Sequence, residues 1–161
     1  MVSELFNSLA QIDPKLAIFI VSMIPMVELR GGVILGIALG MNWLEVFLIC
    51  MAGNLVPIPV IIILGRYVIE RLGSTKSFGP IVERYKAKTL SKSGVIDKYG
   101  PWGLVLFVGI PIPGTGVWTG SVLALLMDLR MKKAIPAMIL GMIVAGIIMT
   151  LGSLGVVGII R

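Results

Sequence analysis

The sequence predicts an all-α integral membrane protein, built as an inverted repeat in which each half contains a re-entrant helical hairpin followed by a transmembrane helix. Hydrophobic residues make up 57% of the 161 residues, and the mean hydropathy is +1.03. Soluble domains contain about 45–50% apolar residues, and the few charges here are clustered rather than spread over a surface. In addition, one order of segments occurs twice: short apolar run, break, short apolar run, long apolar run.

Each repeat joins one hairpin to one crossing, and a basic segment lies between the repeats. The first repeat is predicted at 1–64, with its hairpin at 15–41 and its transmembrane helix at 44–64. The basic segment follows at 65–100. The second repeat is predicted at 101–161, with its hairpin at 101–127 and its transmembrane helix at 134–160. The apolar arms of the first hairpin, 16–24 and 33–41, have nine residues each. Such an arm is about 13 Å long, under half of a ~30 Å hydrocarbon core. One kinked spanning helix from Lys15 to Met41 is the competing interpretation.

Both hairpins are interrupted near their midpoints by residues that break helices. The expected break residues are Pro25, Gly31, Gly32, Pro111, Pro113 and Gly116. If each hairpin returns to its own side and each repeat then crosses once, the second repeat begins on the opposite face of the membrane. Inverted repeats with broken helices are a recognised transporter plan, in which the substrate site lies at the bilayer midplane. The two breaks are therefore predicted to converge at mid-depth.

The segment 65–100 carries most of the positive charge, with eight Lys and Arg against three Asp and Glu. The positive-inside rule places it in the cytoplasm, and hence the protein in the inner (plasma) membrane. Ile81, Val82 and Tyr85 would form one face of an amphipathic helix drawn to anionic headgroups. Topology alone explains this charge, so no nucleic-acid partner is expected. Three further basic residues are expected on the opposite face, against the positive-inside trend: Arg130, Lys132 and Lys133.

Polar residues in the two breaks are the candidate site. A charge inside the membrane costs about 2.5–3.5 kcal/mol on insertion scales, so Glu28 and Arg30 should face protein or water. Glu28 is expected to bind substrate and couple a proton, and Arg30 to hold an anionic group. In the second break, Thr115 would cap the next half-helix with its hydroxyl, and the tip could bind an anion. The full set of predicted substrate-binding residues is Glu28, Arg30, Gly114, Thr115, Trp118 and Thr119.

A structural role for the same residues is the competing interpretation. Glu28 and Arg30 could be a pair that caps the first break, with Glu28 at the positive end of the half-helix that begins near Arg30. The glycines of the second break could serve close packing, and Trp118 could be a buried filler or an interface anchor.

Several kinds of chemistry are excluded by composition. The sequence contains no His and only one Cys, Cys50. An intrachain disulfide, a zinc site built on Cys and His, and His-based catalysis are therefore ruled out. We expect no catalytic residue, no metal and no cofactor, and an enzyme is the least expected class.

At its two breaks the sequence resembles a known family. The motifs are PMVELRGG, which begins at Pro25, and FVGIPIPGTGVWTG, which begins at Phe107. Together they look like the small multidrug export family of prokaryotic membrane proteins, over roughly Ile18 to Gly155. That family is similar in architecture to the DedA/VTT superfamily, in which two re-entrant hairpins face each other in an inverted repeat. DedA-type members are implicated in moving polyprenyl-phosphate lipids, and their eukaryotic relatives scramble phospholipids.

The resemblance implies lipid translocation, with the proton gradient as the expected driving force. DedA-type hairpins usually bear an acidic residue in the first hairpin and an arginine in the second. Glu28 matches the first feature, but positions 109–120 contain no arginine, so Arg30 would fill the anion-binding role from the first hairpin.

The expected function is transport of a small amphiphilic anionic substrate, such as a phosphate-bearing lipid. Membrane lipids are the expected partners, and a homodimer is expected because so few helices make a small bundle. One alternative is a proton-coupled small multidrug exporter in which Glu28 binds drug and proton in competition. A second alternative is a membrane organiser that transports nothing.

Overall fold

The structure is a computed structural model that describes residues 11, 13–75 and 78–160, and these residues form helices and connecting turns without any strand. The helices in chain order are α1 (Pro14–Met23), α2 (Glu28–Ala38), α3 (Trp43–Leu55), α4 (Pro57–Gly73), α5 (Gly79–Leu90), α6 (Gly94–Tyr99), α7 (Pro101–Gly109), α8 (Val117–Leu126) and α9 (Met131–Ile160). The predicted all-α fold class is therefore confirmed.

Local sequence determines where the first short helix begins and ends. Asp13 Oδ1 accepts a hydrogen bond from the Lys15 N–H at 2.8 Å, and Pro14 occupies the first helical position. Proline is favoured there because that N–H has no helical partner. Met23 is the last helical residue. The next residue, Ile24, has an extended backbone, as expected because it precedes Pro25.

Within the described residues, two helical stretches are long and apolar enough to cross a membrane. One is α9, and the other is the run Trp43–Gly73 formed by α3 and α4, which has 31 residues and a length of about 46 Å. The regular helix is interrupted at Val56, whose N–H bonds to the Gly53 carbonyl at 3.3 Å, and the next residue, Pro57, has no N–H to donate. The transmembrane helix predicted at 44–64 therefore lies inside a longer helical run.

The short helices form two pairs that reverse direction. In the first pair, a Cβ at Gly32 of α2 would touch the Ser22 side chain of α1. In the second pair, a Cβ at Gly120 of α8 would meet Val108 at 2.9 Å and Leu104 at 3.6 Å. A single kinked helix would keep Gly32 far from Ser22. The interpretation of residues 15–41 as one kinked helix is therefore wrong.

The first pair lies beside the second half of α9. At one end of α2, Leu29 would be 3.4 Å from a Cβ at Gly146, which is near the middle of α9. At the other end, Ala38 borders a groove with Val157, close to the C-terminal end of α9. The turn of this pair, residues 24–28, is called the first tip below.

The second pair lies beside the first half of α9. At one end of α7, Trp102 borders a groove with Lys133, and at the other end a Cβ at Gly109 would be 3.3 Å from Val144. Its turn, residues 110–116, is called the second tip. The two pairs thus approach from opposite ends of α9, and their tips meet beside its middle.

The basic segment 65–100 is mostly helical rather than a loop. It contains the last turns of α4, all of α5 and all of α6. The predicted end of the transmembrane helix at residue 64 was based on where the apolar side chains stop. The helix α4 continues beyond that residue until a stop signal, which here is Gly73 followed by Ser74.

One prediction about topology is wrong. Arg66 of α4 forms an ion pair with Asp128, which follows α8, at 3.0 Å. The residues after Asp128, including Arg130, Lys132 and Lys133, therefore begin at the same end of the bundle as the basic segment. The physical reason is that the second pair starts and finishes at one end of the bundle, so the residues that follow it return to that end.

Candidate functional site

The first tip has an unusual backbone that aims a carboxylate away from its own helix. Met26 and Glu28 have positive φ angles of 72° and 51°. For residues other than glycine such angles cost on the order of 1–3 kcal/mol each and persist only where surrounding contacts hold them. Glu28 is only 5% exposed, and its side chain extends to the second tip.

Glu28 caps a helix of the other pair. Its Oε1 accepts a hydrogen bond from the Trp118 backbone N–H at 3.1 Å, at the N-terminus of α8, where backbone donors have no helical partner. A carboxylate is also favoured there by the helix dipole. In the competing structural interpretation Glu28 would cap the half-helix near Arg30, and Thr115 was predicted to cap α8. Both are wrong, because neither α2 nor α8 has a capping hydrogen bond from a side chain of its own segment.

A glycine at the start of α8 makes room for this carboxylate. Gly116 has a φ of 129°, and a Cβ there would overlap the Glu28 carboxylate. A side chain at Gly116 would therefore be excluded twice, by the backbone angle and by the space that Glu28 occupies.

Arg30 binds backbone oxygens of the second tip. Its Nη1 donates to the carbonyls of Ile112 and Thr115, both at 3.0 Å. Its Nη2 donates to the carbonyls of Val108 and Ile110 and to the Thr115 hydroxyl, each at 3.2 Å. The last carbonyls of a helix have no helical N–H to bind, and the guanidinium of Arg30 satisfies one of those at the end of α7, the carbonyl of Val108.

The side chains of Thr115 and Trp118 add one contact within the second tip and one between the two helix pairs. The Thr115 hydroxyl donates to the Ile112 carbonyl at 2.7 Å within its own tip. The Trp118 indole N–H donates to the carbonyl of Met23, the last residue of α1, at 3.1 Å. Trp118 is therefore bound to the first pair.

The predicted break residues divide into two groups. Pro25 lies in the turn of the first tip, and Pro111, Pro113 and Gly116 lie in or next to the second tip. The prediction for Gly31 and Gly32 is wrong, because both lie inside α2. A Cβ at Gly32 would meet the Cys50 sulfur at 2.8 Å, so this glycine permits close packing of α2 against its neighbours.

A cavity of about 430 Å³ opens where the two tips meet. All six predicted substrate-binding residues line it, together with Pro25, Met26 and Pro113 of the tips and two residues of α5. Sequence reasoning did not assign those two residues, Tyr85 and Lys88, to the site. Their spacing places both on one face of α5, and Tyr85 had been predicted only to face lipid headgroups.

The charges around this cavity are unequal. Arg30 and Lys88 face it with positive charge, and Glu28 alone faces it with negative charge. A third cation lies next to the wall, since Lys92 Nζ donates to the Gly114 carbonyl at 2.7 Å. The cavity therefore favours an anionic group, with the Trp118 and Tyr85 rings available for an apolar part.

Comparison with known proteins identifies the family. The sequence model of the family described as "Putative small multi-drug export protein" matches residues 28–148, about three quarters of the chain. No curated protein and no solved structure matches. The matched range contains Glu28, Arg30, α5 and the whole second tip. The family description and the two long apolar helices together indicate a membrane protein with a transport role. The chain therefore belongs to the small multi-drug export protein family, as the resemblance of its two breaks predicted.

Proposed function

We propose that this protein moves an amphiphilic anion, such as a phosphate-bearing lipid, across the membrane, and that the cavity between the two tips binds it. The observation that supports this proposal is the make-up of the cavity wall. Two cations, Arg30 and Lys88, oppose one carboxylate, Glu28, next to exposed apolar residues of the tips. Met26 is 98% exposed at the rim, where it would contact an apolar tail.

In this proposal the two helix pairs are re-entrant hairpins that enter from opposite faces of the membrane, and α9 and the α3–α4 run are the crossings. The four short helices have 9 to 11 residues and are too short to span a ~30 Å core singly. The basic segment and residues 130–133 would face the cytoplasm together, in keeping with the positive-inside rule. The resulting inverted repeat and its DedA/VTT-like character remain part of the proposal.

The three charged residues would have different tasks. The terminal nitrogens of Arg30 already donate to protein oxygens, so Arg30 contributes charge to the cavity but few free donors. Lys88 belongs to none of the ion pairs among the described residues, and its ammonium would contact the anionic group directly. Glu28 would carry the coupled proton. A homodimer would contain two such cavities, one in each chain.

A lipid-flip assay with the purified protein in liposomes tests this proposal. We expect Lys88→Gln to slow translocation of a fluorescent phosphate-bearing lipid by about tenfold, because one charge-assisted hydrogen bond is lost. Glu28→Gln should abolish acceleration by a pH gradient. The matched control is Lys86→Gln, which makes the same substitution in the same helix. Lys86 is paired with Glu83 and does not line the cavity. Wild-type rates in both the Lys88 and Glu28 variants would contradict the proposal.

A proton-coupled drug exporter is the second candidate, and the family description favours it. Here Glu28 would bind a cationic drug between the Trp118 and Tyr85 rings, and a proton would compete for the carboxylate. The Lys88→Gln variant separates the candidates by sign. Loss of this positive charge should weaken binding of an anion but strengthen binding of a cationic drug. Drug-stimulated proton release that Glu28→Gln abolishes would support the exporter.

The non-transporting organiser also has an observation in its favour. Every polar contact of Glu28 and Arg30 described above is a contact that holds the two tips together. If that were their whole role, the wild-type protein would move neither lipid nor drug. In that case, function in cells would depend on Lys86 and Lys88 of the basic helix α5.

A further inference from the structure

A second cavity lies on the outer surface of the bundle, in the groove between α7 and α9. Its volume is about 510 Å³, and its wall includes Trp102 and Val105 of α7 and Lys133, Pro136 and Leu140 of α9. None of these residues lines the cavity between the tips. The groove is at the end of the bundle that carries the basic segment, because α7 and α9 both begin there.

The groove is polar at one end and apolar along its length. Lys133 and Leu140 are seven positions apart on α9, so the side chains are separated by about 10 Å along the helix. Trp102 is 70% exposed and Leu140 is 45% exposed. A tryptophan at one end of an exposed apolar strip is typical of the membrane interface. The layout matches a molecule with a charged head and an apolar tail.

The polar end of the groove offers a cation. Lys133 lines the groove and belongs to none of the ion pairs formed within the described part of the chain. Its ammonium is therefore available to bind the phosphate of a lipid headgroup.

Nearby acidic residues do not neutralise this end of the groove. Asp128 is paired with Arg66 at 3.0 Å, and the residues that line the groove include no acidic side chain. Arg130 and Lys132 add positive charge beside Lys133. The local field therefore attracts an anion.

We propose that this groove binds one molecule of an anionic phospholipid, with its phosphate at Lys133 and an acyl chain along Val105 and Leu140. The site is separate from the transport cavity, and the inference does not depend on the transported substrate. A bound lipid here would join α7 to α9 at the cytoplasmic interface.

Native mass spectrometry of the full-length protein in detergent tests this inference. Phosphatidylglycerol is titrated into wild type and into two variants, Lys133→Gln and Lys132→Gln. The second variant removes the same charge from the neighbouring residue, which does not line the groove. We expect Lys133→Gln to weaken binding of the first lipid by about tenfold and Lys132→Gln to change it less than threefold.

Two further measurements test whether the groove binds a whole lipid or only a free phosphate, and whether the acyl chain contributes to binding. Val105→Trp narrows the apolar part of the groove without changing charge, and it should also weaken lipid binding. Glycerol phosphate, which has the head but no tail, should not displace the lipid. Equal losses in the two lysine variants would overturn the inference, as would equal binding of phosphatidylcholine or displacement by glycerol phosphate. If the wild-type protein bound lipid in this groove but showed no activity in the lipid-flip assay, that result would contradict the proposed function and leave this inference standing.

Discussion

The contact between Glu28 and the start of α8 predicts the effect of one small substitution, Gly116→Ala. The new methyl group would overlap the Glu28 carboxylate, and the backbone at Gly116, with φ 129° and ψ −170°, is accessible almost only to glycine. The backbone strain is about 1–3 kcal/mol, and the hydrogen bond from the Trp118 N–H to a carboxylate contributes about 1.5–3 kcal/mol. We therefore expect a loss of about 2.5–6 kcal/mol in the free energy of unfolding.

The measurement is unfolding of the purified protein in detergent, with Gly152→Ala as the matched control. A Cβ at Gly152 has nothing within 4 Å, and this glycine lies inside α9, where alanine is favoured by about 0.5–1 kcal/mol. The two variants should thus shift stability in opposite directions. In a Glu28→Ala background, Gly116→Ala should cost only the backbone strain. Equal stability of the two glycine variants would refute the reasoning, and an unchanged cost in the Glu28→Ala background would exclude the carboxylate contact.

Three further substitutions have expected outcomes that the same unfolding measurement checks. Arg30→Lys should lower the free energy of unfolding by about 2–4 kcal/mol, because one ammonium cannot reach the five acceptors that the guanidinium binds. An unchanged midpoint of unfolding would contradict these contacts. Asn54→Leu should raise stability by about 1–3 kcal/mol, since Asn54 is 2% exposed and its Oδ1 has no donor in the described part of the chain. A loss of stability would instead indicate a hydrogen bond to that oxygen. Gly103→Ala should destabilise by about 1–3 kcal/mol, because the new Cβ would be 2.6 Å from the Ile96 Cα and would also overlap the Val95 carbonyl; wild-type stability would show that α6 can move away from α7.

The positions of the two tips could be predicted from sequence because several local signals coincide at each of them. Short apolar runs limit helix length, and Pro25 or Pro111 marks where a helix stops. The six candidate binding residues were chosen on that basis, and all of them line one cavity. The prediction that tips separated by about 90 residues converge depended on the repeated order of segments rather than on any single residue.

The partners of the charged residues could not be predicted from sequence, because they lie on the other helix pair. Local rules associate Glu28 with the helix that it begins, whereas its positive φ turns the side chain toward Trp118. The part of the site formed by α5 was missed for a similar reason. Tyr85 and Lys88 belong to a basic helix whose composition indicates a membrane surface, and only the path of the chain brings them to the tips.

The contacts around the cavity also indicate which part of its wall can open. Glu28 and Arg30 join the two helix pairs by six hydrogen bonds. Three of these bonds satisfy backbone groups for which the structure describes no other partner, the carbonyls of Val108 and Thr115 and the N–H of Trp118, at about 1–3 kcal/mol for each group. Separating the tips would therefore expose the ends of α7 and α8 at considerable cost. By contrast, a single exposed hydrogen bond, from Lys92 to the Gly114 carbonyl, joins the end of the α5 segment to the second tip. In the proposed transport function, a movement of α5 would break this one hydrogen bond and the packing of α5 against α4 and α8, whereas separation of the tips would expose more backbone groups. Since local opening follows the weakest set of contacts, movement of α5 would be the physically favoured route to the cavity.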